Sequence, residues 1–442
     1  MFKTADRVLL LVILTTAVFH VTFEFAQPSP KLFGDESHYL ELARADVRAG
    51  QGSLLPGMLR VSARPEFYSR FVSQFVSETT ATRDVILRVA LVQLVLLLGV
   101  VTMVYRQAQV LGMSGTASLV SAATVAVLPW FGFHVHSLWP EMLHAFFFSG
   151  VVLSALLYLL RGQSSFLVAS GLLCGFAMLT KGVVPVLLPV LLVGFAAAVI
   201  SRARPAPFTR IVAARAMLAP GIFAASLLCV IGPQLARTVT QDGEARLAAN
   251  RWWNLEIGLT VATDPTDPQV YSADQRWLAK DRLFETYKSA PTAEREAQAR
   301  SRTLSHLAAT NPLSTLGRQI AKLTDLWIAA PTMIVQRQAT LEQALGMRAR
   351  WGTELSGWIG ATRALARWAW RLLFPLGLVG LVLLARRQGG GLLVACLTLV
   401  FLLAALAVPL KVRLLMPVVP LLALGLGGAL VDAGRVRFAR RE

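Results

Sequence analysis

The sequence predicts an all-α protein that crosses a membrane about ten times, and three observations support this prediction. Only 15% of its 442 residues are charged and 55% are apolar, whereas soluble domains carry roughly 25% charged residues. The apolar residues form continuous runs, most of them about 17–21 residues long, which is the length that spans a bilayer as a helix. Membrane β-strands are shorter and alternate in polarity, so the runs favour helices.

The predicted spans follow one another in chain order, and the fifth is shorter than the rest. They are Val8–Phe25, Val85–Tyr105, Ala117–Phe133, Leu143–Leu160, Phe166–Leu179, Val183–Ile200, Ile211–Ile231, Trp368–Ala385, Leu392–Val408 and Leu414–Val431.

The charges at the ends of the spans orient the chain. Basic residues gather on the side of the N-terminus, with few acids among them: Lys3, Arg7, Arg106, Arg161, Arg202, Arg204, Arg210, Arg215, Arg386, Arg387, Arg435, Arg437, Arg440 and Arg441. Because the cytoplasmic ends of spans carry such an excess, we expect both termini in the cytoplasm. The net charge of +18 then reflects this topology and contact with anionic headgroups of the lipid bilayer. No nucleic-acid partner is predicted.

Two segments on the outer side are too long to be simple turns, and loops of this length are usually functional. They divide the chain into a transmembrane module, 1–236, whose first outer loop is 27–84, an outer helical segment, 237–357, and C-terminal spans, 358–442. Within the two segments we predict helices at Ser37–Ala49, Phe67–Val76, Ala273–Lys288, Thr292–Ala309 and Leu313–Ile328. The last of these fits either the membrane interface or packing against the rest of the protein.

Acids just outside the first span are the strongest candidates for chemistry. Gly34–Ala43 reads GDESHYLELA, with Asp35 and Glu36 at the start of a short helix. A carboxylate in a partly desolvated cleft can act as a general base for a hydroxyl nucleophile. The alternative is helix capping, because a carboxylate at a helix N-terminus accepts backbone N–H groups.

A further acid, Glu141, follows Pro140 at the outer start of the fourth span. It is either a functional carboxylate or a group that stabilises the positive end of the helix. His144 lies three residues further on, on the same helical face. The motif lacks an established ligand spacing, so no metal site is predicted and a divalent metal is the less favoured alternative.

Three cations on the outer side could bind an anion. Arg64 lies in VSARPEFY, Lys181 in AMLTKGV between the fifth and sixth spans, and Arg413 in PLKVRLLMPVVP before the tenth. Basic residues are usually concentrated on the cytoplasmic side. Cations on the outer side are exceptions to this bias, and that favours a role in binding an anionic ligand. Arg64 could instead reach lipid headgroups. Lys181 before Gly182 also fits a helix C-terminus that ends in a left-handed glycine.

Together these motifs resemble the GT-C glycosyltransferases of the aminoarabinose-transferase and protein-O-mannosyltransferase type (glycosyltransferase families 39 and 83). GDESHYLELA resembles their D-E-x-x-Y segment, and S-A-R-P-E at 62–66 stands where they have F-E-K-P-P. Leu179–Gly182 matches their L-T-K-G, and Arg413–Pro420 resembles R-Y-x-x-P-x-x-P. The four motifs occur in the family's order and cover nearly the whole chain.

The resemblance implies a GT-C fold in a bacterial inner membrane. It also implies an inverting transfer of a sugar from a polyprenyl-phosphate donor to a periplasmic acceptor hydroxyl on a lipid, glycan or protein, with no required cofactor. By this carry-over, Asp35 takes the place of the family's catalytic acid and Arg64 that of the lysine near the carrier phosphate. We predict Asp35 as the general base, with Glu36 and Glu141 as further candidate catalytic acids. Lys181 and Arg413 are predicted to bind the carrier phosphate with Arg64, and His38 and Tyr39 to contact the substrate.

The chain departs from the family pattern at two positions. His38 stands where the aminoarabinose transferases have arginine, and Ala63 replaces an acid that helps to bind metal in some members. The chain is also shorter than those enzymes, so neither sugar nor acceptor is carried over. Two other functions are a transporter or flippase of lipid-linked sugars, for which mid-span charges and repeated halves would be expected, and a membrane scaffold without catalysis.

The predicted topology can be tested by cysteine accessibility in intact cells. A cysteine introduced at Ser289 should react with a membrane-impermeant reagent, and a cysteine at Ala439 should react only after permeabilisation. The reverse pattern would put every motif above in the cytoplasm.

Overall fold

A computed structural model describes most of the chain. The described residues are 4–26, 32, 35–50, 67–128, 131–132, 134–203, 209–243, 245–247, 251–260, 292–317, 319–320, 354–387, 389–406 and 412–439. All regular structure within these ranges is helical, as the sequence predicts.

The helices are numbered in chain order. The α-helices are α1 Thr4–Ala26, α2 Asp35–Arg48, α3 Phe67–Ser73, α4 Thr82–Val110, α5 Gly115–Val127, α6 Glu141–Arg161, α7 Ser164–Thr180, α8 Leu188–Ala203, α9 Arg210–Asp242, α10 Arg251–Thr260, α11 Thr292–Ala309, α12 Glu354–Arg387, α13 Gly389–Leu406 and α14 Val419–Ala439. Short 3₁₀-helices cover His134–His136, Val184–Leu187 and Val412–Val418.

Each predicted span coincides with one of the apolar helices, so the chain is a multi-pass membrane protein. Six helices among the described residues are long and apolar enough to cross a bilayer: α1, α4, α6, α8 with the 3₁₀-turn before it, α9 and the second part of α12. Apolar stretches of α5, α7, α13 and α14 are shorter. The number of crossings therefore remains a prediction of about ten.

The outer segments contain the helices predicted for them wherever the structure describes them. Helices α2, α3 and α11 correspond to three predictions, and the helix predicted at Ala273–Lys288 lies outside the described residues. The helix predicted from Leu313 begins as expected, because Asn311 Oδ1 accepts the Leu313 N–H at 2.9 Å. Helices α10 and α11 pack together through an ion pair of 2.8 Å between Glu256 and Arg302. Burial raises the pKa of Glu256, and the Arg302 guanidinium opposes that shift.

Contacts along the central helix α6 give the directions of its neighbours. Gly390, near the start of α13, lies against Leu156 near the end of α6. Phe401, near the end of α13, contacts Phe148 near the start of α6, with ring centroids 5.9 Å apart. Helix α13 is therefore antiparallel to α6. Helix α7 is antiparallel too, since the Lys181 ammonium at its end reaches the first residue of α6 at 2.9 Å.

Both long outer segments follow helices that finish at the same end of the bundle. Helix α1 finishes there, because Glu24 contacts His136 just before α6 while Asp6 contacts Tyr105 at the opposite end. Helix α9 runs parallel to α7 and finishes there as well, since Gly171 lies against Ser226 and Gly175 against Val230. We call this end, marked by Glu24, Gln93, Glu141 and Lys181, the site end.

Close backbone contact joins α12 to α14. A methyl group on Gly380 would overlap the carbonyl of Gly425, and one on Gly377 would lie 2.8 Å from the Leu422 carbonyl oxygen. Small residues at such crossings let membrane helices pack by van der Waals contact, which is a main source of helix association in lipid. The α12–α14 contact thus depends on glycine at these positions.

The substitution Gly380→Ala should lower thermal stability, because the added methyl meets backbone that cannot move without separating the helices. We expect a loss at or above the roughly 1–3 kcal/mol typical of overpacking. Thermal unfolding in detergent would measure it. The control Gly221→Ala on α9, where a methyl would meet nothing within 4 Å, should be neutral or stabilising. Equal unfolding midpoints for the two variants would contradict the packing described.

Candidate active site

Helices α2 and α3 pack against each other at the site end. A buried ion pair joins them, with Arg70 Nε 3.2 Å from Asp46 Oδ2. The rings of Tyr39 and Tyr68 meet edge to face at 5.1 Å. Phe67 then seats α3 on the membrane helices by ring contact with Phe147 of α6 and Phe176 of α7. Helices α2 and α3 are thereby attached to the helices that carry the other candidate residues.

Glu36 fastens the start of α2 to the chain just before α6. Its carboxylate is 1% exposed, and Oε1 accepts the backbone N–H of Leu138 at 3.0 Å. This contact is long-range in sequence, so Glu36 joins the start of α2 to the segment before α6. Asp35 is the first residue of α2, and its side chain lies outside what the structure describes.

The segment from His134 to Pro140 is itself held by two sets of buried polar contacts. On one side, Nε2 of Gln93 in α4 donates to the carbonyls of Val135 at 3.0 Å and Ser137 at 2.7 Å. On the other side, the His136 ring contacts the Glu24 carboxylate and lies 2.8 Å from Nδ1 of His20. The segment that meets Glu36 is therefore attached to both α1 and α4.

Glu141 and Lys181 form an ion pair beside this segment. Lys181 Nζ lies 2.9 Å from Glu141 Oε1, and the two side chains are 14% and 2% exposed. Glu141 is the first residue of α6, where a carboxylate is stabilised by the helix dipole. The two candidates predicted from separate motifs are thus partners in one pair.

His144 stabilises the end of α7 on which Lys181 depends. The carbonyl of Ala177 accepts the backbone N–H of Lys181 at 2.9 Å and lies 3.2 Å from Nδ1 of His144. Gly182 does not adopt the left-handed conformation of the helix-end alternative, since the described glycines with positive φ are Gly50, Gly112, Gly162 and Gly243. Lys181 instead leaves the helix in extended conformation, φ −148°, and its side chain pairs with Glu141.

The remaining predicted site residues are distributed as follows. Arg413 lies in the 3₁₀-helix Val412–Val418, which packs against α6, although its side chain lies outside the described part. Arg64 lies outside the described residues altogether. His38 is exposed on α2, whereas the Tyr39 ring is buried against α3.

Sequence reasoning missed three buried polar residues at the site end. His20 and Glu24 lie in the first predicted span and its immediate end, and Gln93 lies within the second. Each is at most 8% exposed. A polar group inside an apolar run is expensive unless it is paired, and such residues are usually functional. That signal was present in the sequence and could have identified them.

The described residues contain no group of three or more His, Cys, Asp or Glu side chains arranged to hold a metal ion. Both ring nitrogens of His136 are in contact with protein groups, one with Glu24 and the other with His20. That the protein does not require a divalent metal remains a prediction from the sequence.

Comparison with known proteins defines the class of fold. Neither a protein-family model nor a curated protein matches the chain. Among solved structures it is similar to the oligosaccharyltransferase AglB of Archaeoglobus fulgidus, in complex with an inhibitory peptide and a dolichol-phosphate. The TM-score is 0.50 at 13% identity over 98% of this chain and 51% of that one. ArnT of Cupriavidus metallidurans bound to undecaprenyl phosphate matches with a TM-score of 0.40 at 16% identity, over 97% and 78%.

The chain therefore has the GT-C fold that its motifs predicted. It spans about half the length of the oligosaccharyltransferase that it resembles. At such low identity the likeness concerns the fold.

Removing one member of the Glu141–Lys181 pair should be costly. The substitution Lys181→Met leaves the buried Glu141 carboxylate without this cation, and breaking a buried pair typically costs about 3–5 kcal/mol. The double variant Glu141→Gln/Lys181→Met removes both charges and should recover most of the stability. Thermal unfolding of the purified proteins would measure both effects. If the double variant were less stable than Lys181→Met alone, the charges of Glu141 and Lys181 would not be compensating each other in the folded protein.

Proposed function

We propose that this protein is a membrane glycosyltransferase that transfers a sugar from a polyprenyl-phosphate donor to an acceptor hydroxyl at the site end. The GT-C fold supports the proposal, since the similar oligosaccharyltransferase was solved with a dolichol-phosphate and a peptide. A lipid-linked donor would enter laterally from the bilayer, which suits a site at the rim of the spans. The four sequence motifs that resemble the GT-C glycosyltransferases are predicted to lie on the outer side of the spans, which also agrees with a site at this rim.

The observation that carries the proposal is the position of Lys181. Its ammonium is largely buried at the membrane rim, where an unpaired charge is costly, yet it retains some exposure beside Glu141. A cation held in this way can bind a phosphate and stabilise the charge that develops on it as the glycosidic bond breaks. Arg413, on an element packed against α6, and Arg64 are the further candidates for the same phosphate.

The roles of the acids follow from their partners. Asp35 and Glu36 are adjacent on α2, and adjacent positions on a helix are about 100° apart, so we expect only one of the two carboxylates to address the hydroxyl. The contact of Glu36 with Leu138 supports an orienting role for Glu36 and leaves the general base to Asp35. Glu141 is paired with Lys181, and a carboxylate beside a cation is a weaker base. We assign Glu141 to holding Lys181.

The proposed reaction is a single displacement. The acceptor hydroxyl attacks the anomeric carbon on the face opposite the phosphate, a C–O bond to the acceptor forms, and the bond to the carrier phosphate breaks. Asp35 takes the hydroxyl proton, and the cations hold the polyprenyl phosphate that leaves. The configuration at the anomeric carbon is therefore inverted. His38, exposed on α2, is a candidate contact for the sugar or acceptor.

Mass spectrometry of glycolipids and glycans from cells that lack the protein tests the function. Loss of one sugar modification, with accumulation of a polyprenyl-phosphate sugar, is the expected result. Accumulation of the donor on the cytoplasmic side alone would indicate the flippase alternative. An unchanged profile under conditions in which the gene is expressed would favour the scaffold.

The variant Asp35→Asn should fail to restore the modification. Asparagine keeps the size and hydrogen bonding of aspartate but cannot accept the proton, so we expect turnover to fall roughly 10²–10⁴-fold. The matched control is Glu36→Gln, whose amide oxygen can still accept the Leu138 N–H and should cost much less. Near-normal turnover of Asp35→Asn, with Glu141→Gln inactive, would transfer the role of base to Glu141.

A further inference from the structure

Gln93 connects several of the buried polar groups at the site end. It is fully buried on α4. Its amide nitrogen donates to the carbonyls of Val135 and Ser137, the two residues that flank His136. Its own carbonyl oxygen lies 3.4 Å from the Tyr68 hydroxyl. One side chain thus links α4, α3 and the 134–140 segment.

Those contacts lead directly to the start of α2. Ser137, whose carbonyl accepts from Gln93, is followed by Leu138, whose N–H is bound by Glu36. Glu36 is next to Asp35 in the first turn of α2. The path from Gln93 to Asp35 therefore consists of one hydrogen bond, the peptide group between Ser137 and Leu138, a second hydrogen bond and the link from Glu36 to the adjacent Asp35.

We propose that Gln93 is a positioning residue: it fixes the backbone of the 134–140 segment so that Glu36 can hold Asp35 in place at the start of α2. The proposal rests on the proposed function for its effect on catalysis, and on the contacts above for its effect on structure. A glutamine suits this role because its neutral amide supplies two donors in fixed geometry without placing a charge in a low-dielectric region.

The chain provides a matched control on the same helix. Gln107 is also fully buried on α4, and its Nε2 donates to the Ser149 carbonyl in α6 at 2.7 Å. That bond lies further along α4, away from the site end. Replacing either glutamine by methionine removes a buried amide and keeps a side chain of similar length. A purely structural effect should therefore be common to both variants.

Hydrogen exchange followed by mass spectrometry tests the positioning without any need for activity. In the full-length protein, Gln93→Met should increase amide exchange in peptides that cover 35–48 and 134–140. Gln107→Met should leave those peptides unchanged. Unchanged exchange at 35–48 in Gln93→Met would overturn the proposal. Gln93→Asn, which is too short to reach both carbonyls, should show a smaller change of the same kind and serves if Gln93→Met does not fold.

The catalytic consequence is tested by combining variants. Gln93→Met should lower turnover roughly tenfold to a hundredfold, the cost of a small misplacement of a reacting group, while leaving affinity for polyprenyl phosphate unchanged. Glu36→Ala breaks the same path, so adding Gln93→Met to it should cost little more, whereas Gln107→Met should add independently. Additive effects of Gln93→Met and Glu36→Ala would overturn the proposal. If wild-type protein shows no transfer at all, the proposed function fails, and the exchange result still decides whether Gln93 positions α2.

Discussion

The organisation of the site end depends on one constraint: polar groups next to a lipid environment must be paired within the protein. The Glu141–Lys181 pair satisfies this constraint for two charges. The Glu36 carboxylate satisfies it by accepting the backbone N–H of Leu138. The Gln93 amide donates to two backbone carbonyls in the same way. Each pairing joins different elements, so the same bonds that avoid desolvation costs also fix the relative positions of the candidate catalytic residues.

The direction of the helices puts these groups together. Helices α1, α7, α9 and α13 finish at the site end, and α4 and α6 begin there. Helix ends expose unpaired backbone groups and their dipoles, which suits the binding of charged ligands. Glycine contacts such as that of Gly380 with Gly425 hold the helices close enough for this arrangement.

Local patterns predicted the spans and most of the outer helices, because length, hydropathy and capping act within a few residues. They also located Glu36, Glu141 and Lys181 as separate candidates. They could not pair Glu141 with Lys181, forty positions along the chain, or Glu36 with Leu138, because those contacts are set by the packing of α2, α6 and α7.

The most direct test of the central claim is binding of undecaprenyl phosphate to the purified protein, followed by native mass spectrometry. Wild type should bind the lipid saturably at one site. Glu141→Gln/Lys181→Met, which removes the cation without leaving a buried carboxylate charge, should bind it at least tenfold more weakly, as expected when one charge-assisted contact to phosphate is lost. Binding of equal strength by both proteins, or no saturable binding by wild type, would contradict a carrier-phosphate site at Lys181.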